Sequence, residues 1–559
     1  MNIKNTVLTA KGFQRTALSG ALMLALTACS VTPTPMTFDQ KLALVESDRA
    51  AMFKNQEPVV KPITLEEAMA RAVKYNLQER LALMEKLAQD NILGLKSFDM
   101  LPQVAASAGW KTRNNEAASS SKSIATGQES LVSSTSQDKT TNSADLSVSW
   151  NILDFGIGYF GSKAQANNVL AAEERRRSVV ADIIQNVRGA YWDAMTAQQL
   201  QPVVKRTLKD AYAALETSKK TGAERLISPL ESLKYQKSLL EMISRLETLE
   251  GDLATSKSRL AGLMNLPPST RYELAEQDAL PTDMRYSLDD LEALAMVNRP
   301  EINEEAYQAR NVALETRSAL TRLLPGASLF VGAHYNSNSY SMNKDWADAG
   351  VQVSWNLLGA FSYSDIKRVG EVKQSVADLR RQALRMAVLT QVNIAWQQYK
   401  QANNQYQRAS ELSRIQNAIL TQSTGAYQNN TQSLVERVRI ATESVLANRS
   451  RDRSFSAMQS SYGAIYQAAG LDPLPKEIVG TSVAALSGSI AQQDNLLKQG
   501  KITQATLFSK DVLAEQYPSM VDGYKKNSSS QSASIQRVVL ENRGSLQEVS
   551  VTDYTDYSQ

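Results

Sequence analysis

This chain has a single cysteine, Cys29, and a single histidine, His334, in 559 residues. One cysteine excludes an intrachain disulfide, so packing alone must hold the fold. A metal or catalytic centre needs several converging groups. His334 falls on the polar face of a predicted strand with no such partners at ligand spacing. Asp154 and the pair Glu173–Glu174 form no general acid–base couple, because nothing else converges on them. No nucleophile–base or metal constellation is present, so no enzyme and no cofactor are expected. The thiol of Cys29 is the one group placed for covalent chemistry.

Lys4, Lys11 and Arg15 precede an apolar run from Ala21 to Leu26, too short to span a bilayer as a helix. This is the layout of a secretory signal. It ends Leu26-Thr27-Ala28-Cys29, which resembles the lipobox of bacterial lipoprotein signals, where the cysteine becomes the lipidated first residue. Residues 1–28 therefore read as a signal peptide, 29–62 as a lipid-anchored tether with a short helix near 38–53, and Ser30 after the cysteine favours outer-membrane sorting. The formal net charge of +4 comes from Lys and Arg spread along the chain, not from a basic cluster. A nucleic-acid partner is excluded on that ground. Beyond Cys29 no stretch is apolar for long enough to be a membrane helix; a bilayer would have to be crossed with strands.

Thr64 with Glu67 reads as a capping box, opening a helix that continues to about residue 98. Past Leu101-Pro102 the period changes to two: Val104, Ala106, Ala108 and Trp110 alternate with small polar residues, predicting a strand over about 103–112. A Ser/Thr/Asn/Gln-rich stretch, 114–143, reads as an exposed mobile loop. Leu146, Val148, Trp150 and Ile152 mark a second strand, about 144–153. Gly156, Gly158 and Gly161 loosen the chain there, and a helix hairpin follows over about 160–265. Its seam is a strict heptad: Ile183, Ala190, Ala197, Val204 and Ala211, flanked by Val187, Ala194, Gln201, Leu208 and Leu215. Such a repeat packs helices with coiled-coil geometry. The first arm, from about 160 to 219, would be about 90 Å long at 1.5 Å per residue, and Pro202 is a candidate kink within it.

The plan then returns. Ser147-Val148-Ser149-Trp150-Asn151 comes back as Gln352-Val353-Ser354-Trp355-Asn356 at an offset of 205, and Leu101-Pro102 as Leu324-Pro325 at 223. Strands are expected over about 327–336 and 350–358, the latter offering Val351, Val353, Trp355 and Leu357, with a second hairpin over about 365–470. Residues 63–268 and 287–475 thus read as two tandem strand–strand–long-helix-hairpin repeats. Residues 476–559 form an extension, helical over about 490–516 and then Ser-rich and disordered.

Strands of about ten residues can cross a bilayer at a tilt, but four cannot close a barrel and open edges cannot sit in hydrocarbon. Several chains would have to build one barrel. The twofold plan resembles the TolC-like outer-membrane efflux channel family, in its lipoprotein form. The family pattern of Trp, apolar residues, Asp and Gly leading into the long helix is met by Trp150, Asp154 and Gly156; Trp355 meets it in the second repeat, where Gly359 and Ala360 replace the acidic position. Pro102 and Pro325 correspond to the prolines that enter the family's strands. The resemblance covers about 63–475 and implies an α+β, mainly α, membrane protein. It implies a homotrimer whose 12-stranded β-barrel continues into a periplasmic α-helical barrel. The conduit would be passive, docked to a periplasmic adaptor and an inner-membrane transporter and held to outer-membrane lipid by acyl chains. Export of a protein or peptide in a type I secretion system uses the same channel. A periplasmic coiled-coil scaffold is the reading of another class, and it leaves the lipobox and the four alternating strands unexplained.

In that family the hairpin tips form the closed periplasmic entrance. Here the tips fall near 219–232 and 423–437, and Glu224, Arg225, Glu231, Glu436 and Arg437 are the candidate gate residues. Carboxylate–arginine pairs could hold the entrance shut, and rings of Glu would favour cations. Trp110, Trp150 and Trp355 fit an interfacial aromatic girdle.

Overall fold

The computed structural model describes residues 33–130, 132–224, 228–267, 269–276, 284–472, 474 and 482–502. The signal, Cys29, Arg225 and the chain beyond residue 502 lie outside the described residues. The chain divides into two units at Gln56. The first contains helix α1, Phe38–Met52, opened by a capping box in which Thr37 and Gln40 bond each other's backbone; none of its residues is buried.

The second unit is mainly helical. Where one helix is predicted from Thr64 to about 98, there are two, α2 (Leu65–Tyr75) and α3 (Leu77–Ser97). The break is at Asn76, whose backbone is extended and whose side-chain oxygen accepts from the Gln78 amide, capping the second helix. A turn of 3₁₀ helix, Phe98–Met100, leads through Pro102 into strand β1, Gln103–Thr112. The predicted loop 114–143 is exposed, but it carries a two-residue ladder, β2 (Ala118–Ser119) with β3 (Ser134–Thr135), and strand β4 begins inside it, at Thr140–Asn151.

Helix α4 then runs unbroken from Ile152 to Ala223, 72 residues. It starts earlier than the glycines suggest, because Asn151 caps it through the Leu153 amide, so Asp154 and Gly156 lie within its first turns. Pro202 stands inside it, where the missing amide removes one hydrogen bond. The heptad positions Ile183, Ala190, Ala197, Val204 and Ala211 are all buried, as are Val187, Ala194, Leu208 and Leu215, while Gln201 is half-buried. Helix α5, Pro229–Leu263, returns alongside. In the second half, α6 (Leu288–Asn298) and α7 (Pro300–Thr321) precede β5 (Gly326–Asn336) and β6 (Asp345–Ser354). The fourth strand thus ends before Trp355 and Leu357, which were predicted within it; a turn there leads into 3₁₀ residues Gly359–Ser362. Helices α8 (Tyr363–Gln428) and α9 (Leu434–Ala468) form the second hairpin. Helix α10, Val483–Lys498, begins upstream of the expected 490–516.

The order of neighbours is the same at every level of this unit. The antiparallel sheet runs β1–β4–β5–β6. Next to it the helices pack α3–α4–α7–α8, and at the far end α5–α4–α9–α8. Three apolar cores hold the stack. One joins α2, α4 and the start of α10 around Tyr191; a second joins α6, α8 and α9 around Leu291 and Met458; the third joins α4, α5 and α9 around Leu246. Helix α10 spans the first two, Val483, Leu486 and Ile490 packing into one and Leu497 into the other.

Candidate functional site

Alternation along the strands gives the sheet two unlike faces. The registers place Val104, Leu146, Val331 and Val351 on one face, and Ser107, Asp145, His334 and Asp348 on the other. All ten residues of β1 are exposed, and nothing among the described residues packs on the apolar face, with Leu146, Val331, Val351 and Val353 all exposed. Exposed apolar area on this scale, on strands of membrane length, marks a surface that meets lipid or a partner. The outer margins of β1 and β6 carry no pairing strand among the described residues.

The helices next to those margins are also open. On the β1 side, α3 exposes Leu81, Met84 and Leu95, and α5 exposes Leu230, Leu233 and Leu240. On the β6 side, α8 exposes Val369, Val372, Val376, Leu379 and Met386, then Leu412, Ile415 and Ile419. Spacings of three, four, seven and eleven residues keep each set along one helix face.

At the junction of sheet and helices the two tryptophans do the same thing. The Trp150 indole N–H donates to the Met100 carbonyl at 3.3 Å, and that of Trp355 to the Leu323 carbonyl at 2.9 Å. Each acceptor lies two residues before the proline that enters a strand, Pro102 or Pro325. Phe155 packs edge-on to Trp150 at 5.9 Å. Trp110 sits on the apolar face near the opposite end of the strands, paired with Asn142, so the three tryptophans lie at two levels. Asp154 is in the first turn of α4, where the helix dipole favours a carboxylate. Gly156 is not a tight contact; the close approach is at Gly158, where a Cβ would lie 2.9 Å from the Asp99 carbonyl oxygen.

At the far end of the helices the candidate gate residues that are described do not form one cluster. Glu224 follows α4 and Glu231 opens α5; both are exposed and neither makes an ion pair among the described residues. Glu436 is engaged within α9 by Arg439, whose hydrogen bond holds its carboxyl below the ordinary range. Arg437 is the residue that crosses between hairpins: it donates to Asp210 of α4 at 2.6 Å and lies over the Tyr427 ring at 5.1 Å. Asp210 was not legible as a site residue, being one carboxylate among many on a long helix. The neighbouring α8–α9 seam is polar. Ser413 and Asn417 both donate to the Asn448 side-chain oxygen, at 2.6 and 2.9 Å, and Ser444 donates to Asn417 at 2.6 Å.

Comparison with known proteins shows what this arrangement resembles. Residues 79–266 match the outer membrane efflux protein family. The fold resembles that of the Campylobacter jejuni CmeC outer membrane channel, with a TM-score of 0.58 at 14% identity over 85% of this chain and 98% of that one. It resembles the open state of the Neisseria gonorrhoeae MtrE outer membrane channel with a TM-score of 0.55 at 16% identity, over 75% and 95% of the two chains. A probable outer membrane lipoprotein of Salmonella typhimurium, SilC, is 26% identical over 204 residues, which is 35% of this chain and 43% of that protein's length. The likeness to TolC-like outer-membrane channels is therefore carried by sequence as well as by fold. The chain is thus similar to outer-membrane efflux channels in fold, and over residues 79–266 in sequence.

Proposed function

We propose that three copies of this chain form one passive outer-membrane channel, with the apolar sheet face against lipid and the polar face around the lumen. The observation that carries this reading is the shared order of neighbours with both margins open. A backbone edge cannot be left unpaired in hydrocarbon, and four strands are too few to close on themselves. A head-to-tail contact between unlike margins closes into a ring when the rotation allows. Pairing β6 of one copy with β1 of the next would bring the exposed seam of α8 against those of α3 and α5. Twelve strands and a helical tunnel follow from three copies, as in the TolC-like pattern. The matched hydrogen bonds of Trp150 and Trp355 support descent of the two halves from one duplicated unit.

In this reading substrates enter from a periplasmic adaptor and an inner-membrane transporter, which supplies the energy, and leave at the cell exterior. Acylation of Cys29 would add a lipid anchor. The Arg437–Asp210 pair between the hairpins would help hold the periplasmic entrance closed. The test is single-channel conductance of the detergent-extracted protein in a planar bilayer, with its mass on an unheated gel. A trimer with discrete conductance steps is expected. A water-soluble monomer or elongated dimer without conductance would overturn the channel in favour of a periplasmic scaffold.

A further inference from the structure

The polar face of the sheet carries one continuous side-chain chain across all four strands. Ser107 of β1 donates to Asp145 of β4 at 3.2 Å, Asp145 meets His334 Nδ1 of β5 at 2.7 Å, and His334 Nε2 lies 3.3 Å from Asp348 of β6. Ionised carboxylates only accept hydrogen bonds. A neutral imidazole has one N–H and could satisfy one of them; the imidazolium has two and satisfies both. Trp346 stacks on the ring, centroids 5.2 Å apart and planes within 22°, which fixes its orientation. Space for the arrangement depends on Gly332, where a Cβ would lie 2.5 Å from His334 Nε2 and 2.8 Å from the Asp348 carboxylate.

We propose that His334 sets the ion selectivity of the channel's outer mouth, its imidazolium offsetting the carboxylates of Asp145 and Asp348 on the lumen-facing side of the sheet. This rests on the channel reading above. His334 stands two residues from the end of β5 at Asn336, the end remote from the helices. The other charge on this face of the four strands is Lys111 of β1, four residues along from Ser107. With the ring protonated, two cations oppose two carboxylates; with it neutral, one negative charge per chain is uncompensated. Repeated around a narrow lumen, that charge concentrates cations and excludes anions.

The experiment is the reversal potential of full-length channels under a potassium chloride gradient, taken from acidic to alkaline pH. For the unmodified protein the potassium-to-chloride permeability ratio is expected to rise about twofold or more with pH, as uncompensated charge appears in the mouth. His334→Gln should hold the alkaline ratio at every pH, and Asp348→Asn should shift the ratio towards chloride. Unmodified channels whose ratio does not change with pH, or His334→Gln channels that keep the titration, would overturn the proposal and leave the channel standing. Bilayers in which the unmodified protein is silent would overturn both. A second readout does not depend on any variant. His334 is the only histidine, so histidine labelled with ¹⁵N gives a single imidazole signal from the intact protein. Two protonated ring nitrogens at neutral pH are expected, and a single neutral tautomer would refute the charge assignment.

Discussion

Arg437 and Asp210 meet at 2.6 Å although 227 residues separate them, and they tie the second helix hairpin to the first near the far end of the bundle. The pair is partly exposed, at 23% and 42% for the two side chains. Pairs of that kind are worth up to about 1 kcal/mol each, which is roughly a fivefold bias, and salt weakens them. Asp210→Asn should raise the open fraction of single channels by up to about that factor, and the unmodified channel should open more readily at high salt. Exchanging the charges, Asp210→Arg with Arg437→Asp, should restore the closed state. If the exchanged and single variants behave alike, the pair does not latch the entrance.

The exposed seam of α8 gives a test of assembly that is separate from folding. Val376 and Leu379 are 43% and 64% exposed in the single chain, so replacing both by Ser removes little from its own core. The expected result is retained helicity by circular dichroism with loss of the trimer on an unheated gel. A variant that still runs as a trimer would mean that α8 does not line the contact between copies.

Tyr191 is fully buried, and its hydroxyl lies 3.2 Å from the Ile63 carbonyl and 3.0 Å from that of Ala275. Those two residues belong to a short extended contact in which Ile63 pairs with Leu274. Tyr191→Phe leaves the ring packing intact and removes the shared donor, so it should cost about 1 kcal/mol, read from denaturant unfolding of the purified protein. No measurable loss would show that the carbonyls are satisfied without it.

The Glu57 carboxylate gathers two partners: Lys74 at 2.6 Å, and the Val483 amide at 3.1 and 3.3 Å from its two oxygens. Its carboxyl is held below the ordinary range, first by the Lys74 hydrogen bond. A lowered native pKa means that this contribution is fully present above the ordinary carboxylate pKa and is lost as pH falls through the native value. The hydrogen-exchange protection of α10, relative to the intrinsic rate at each pH, should therefore fall at acid pH in the unmodified protein. In Glu57→Gln it should be low already at neutral pH and change less on acidification. Equal protection in the two proteins at neutral pH would remove Glu57 from the docking of α10.

Much of this architecture is legible in the residue order because period and punctuation agree. Val104 to Trp110 alternate, Pro102 precedes them, and the strand lies where both signals put it. The buried heptads of α4 follow from a seven-residue repeat that no strand could produce. The failures have local causes. The apolar pattern runs on through Asn76, which hides a cap that splits one helix into two. Trp355 copies both the pattern and the indole hydrogen bond of Trp150, yet its strand stops one residue before it, whereas Trp150 stays within its own strand. Asp210 and the partners of His334 could not be found from spacing, since the sheet and the helix layer bring together residues far apart in sequence. Exposed apolar residues of α8 carry a helical period, but only the fold shows that nothing covers them among the described residues.

The tip-side halves of the two hairpins are joined by different contacts, and temperature should tell them apart. The lower part of α4 meets α5 through Leu208, Leu239, Ile243 and Leu246, whereas beyond Ala402 the buried residues of α8 are Ser413 and Ser423, joined to α9 and the turn by hydroxyl and amide bonds. Apolar attraction fades on cooling, while hydrogen bonds keep their enthalpy. Cooling should therefore loosen the tip-side half of the first hairpin more than that of the second, so the two seams of one protein would differ in their response to cold.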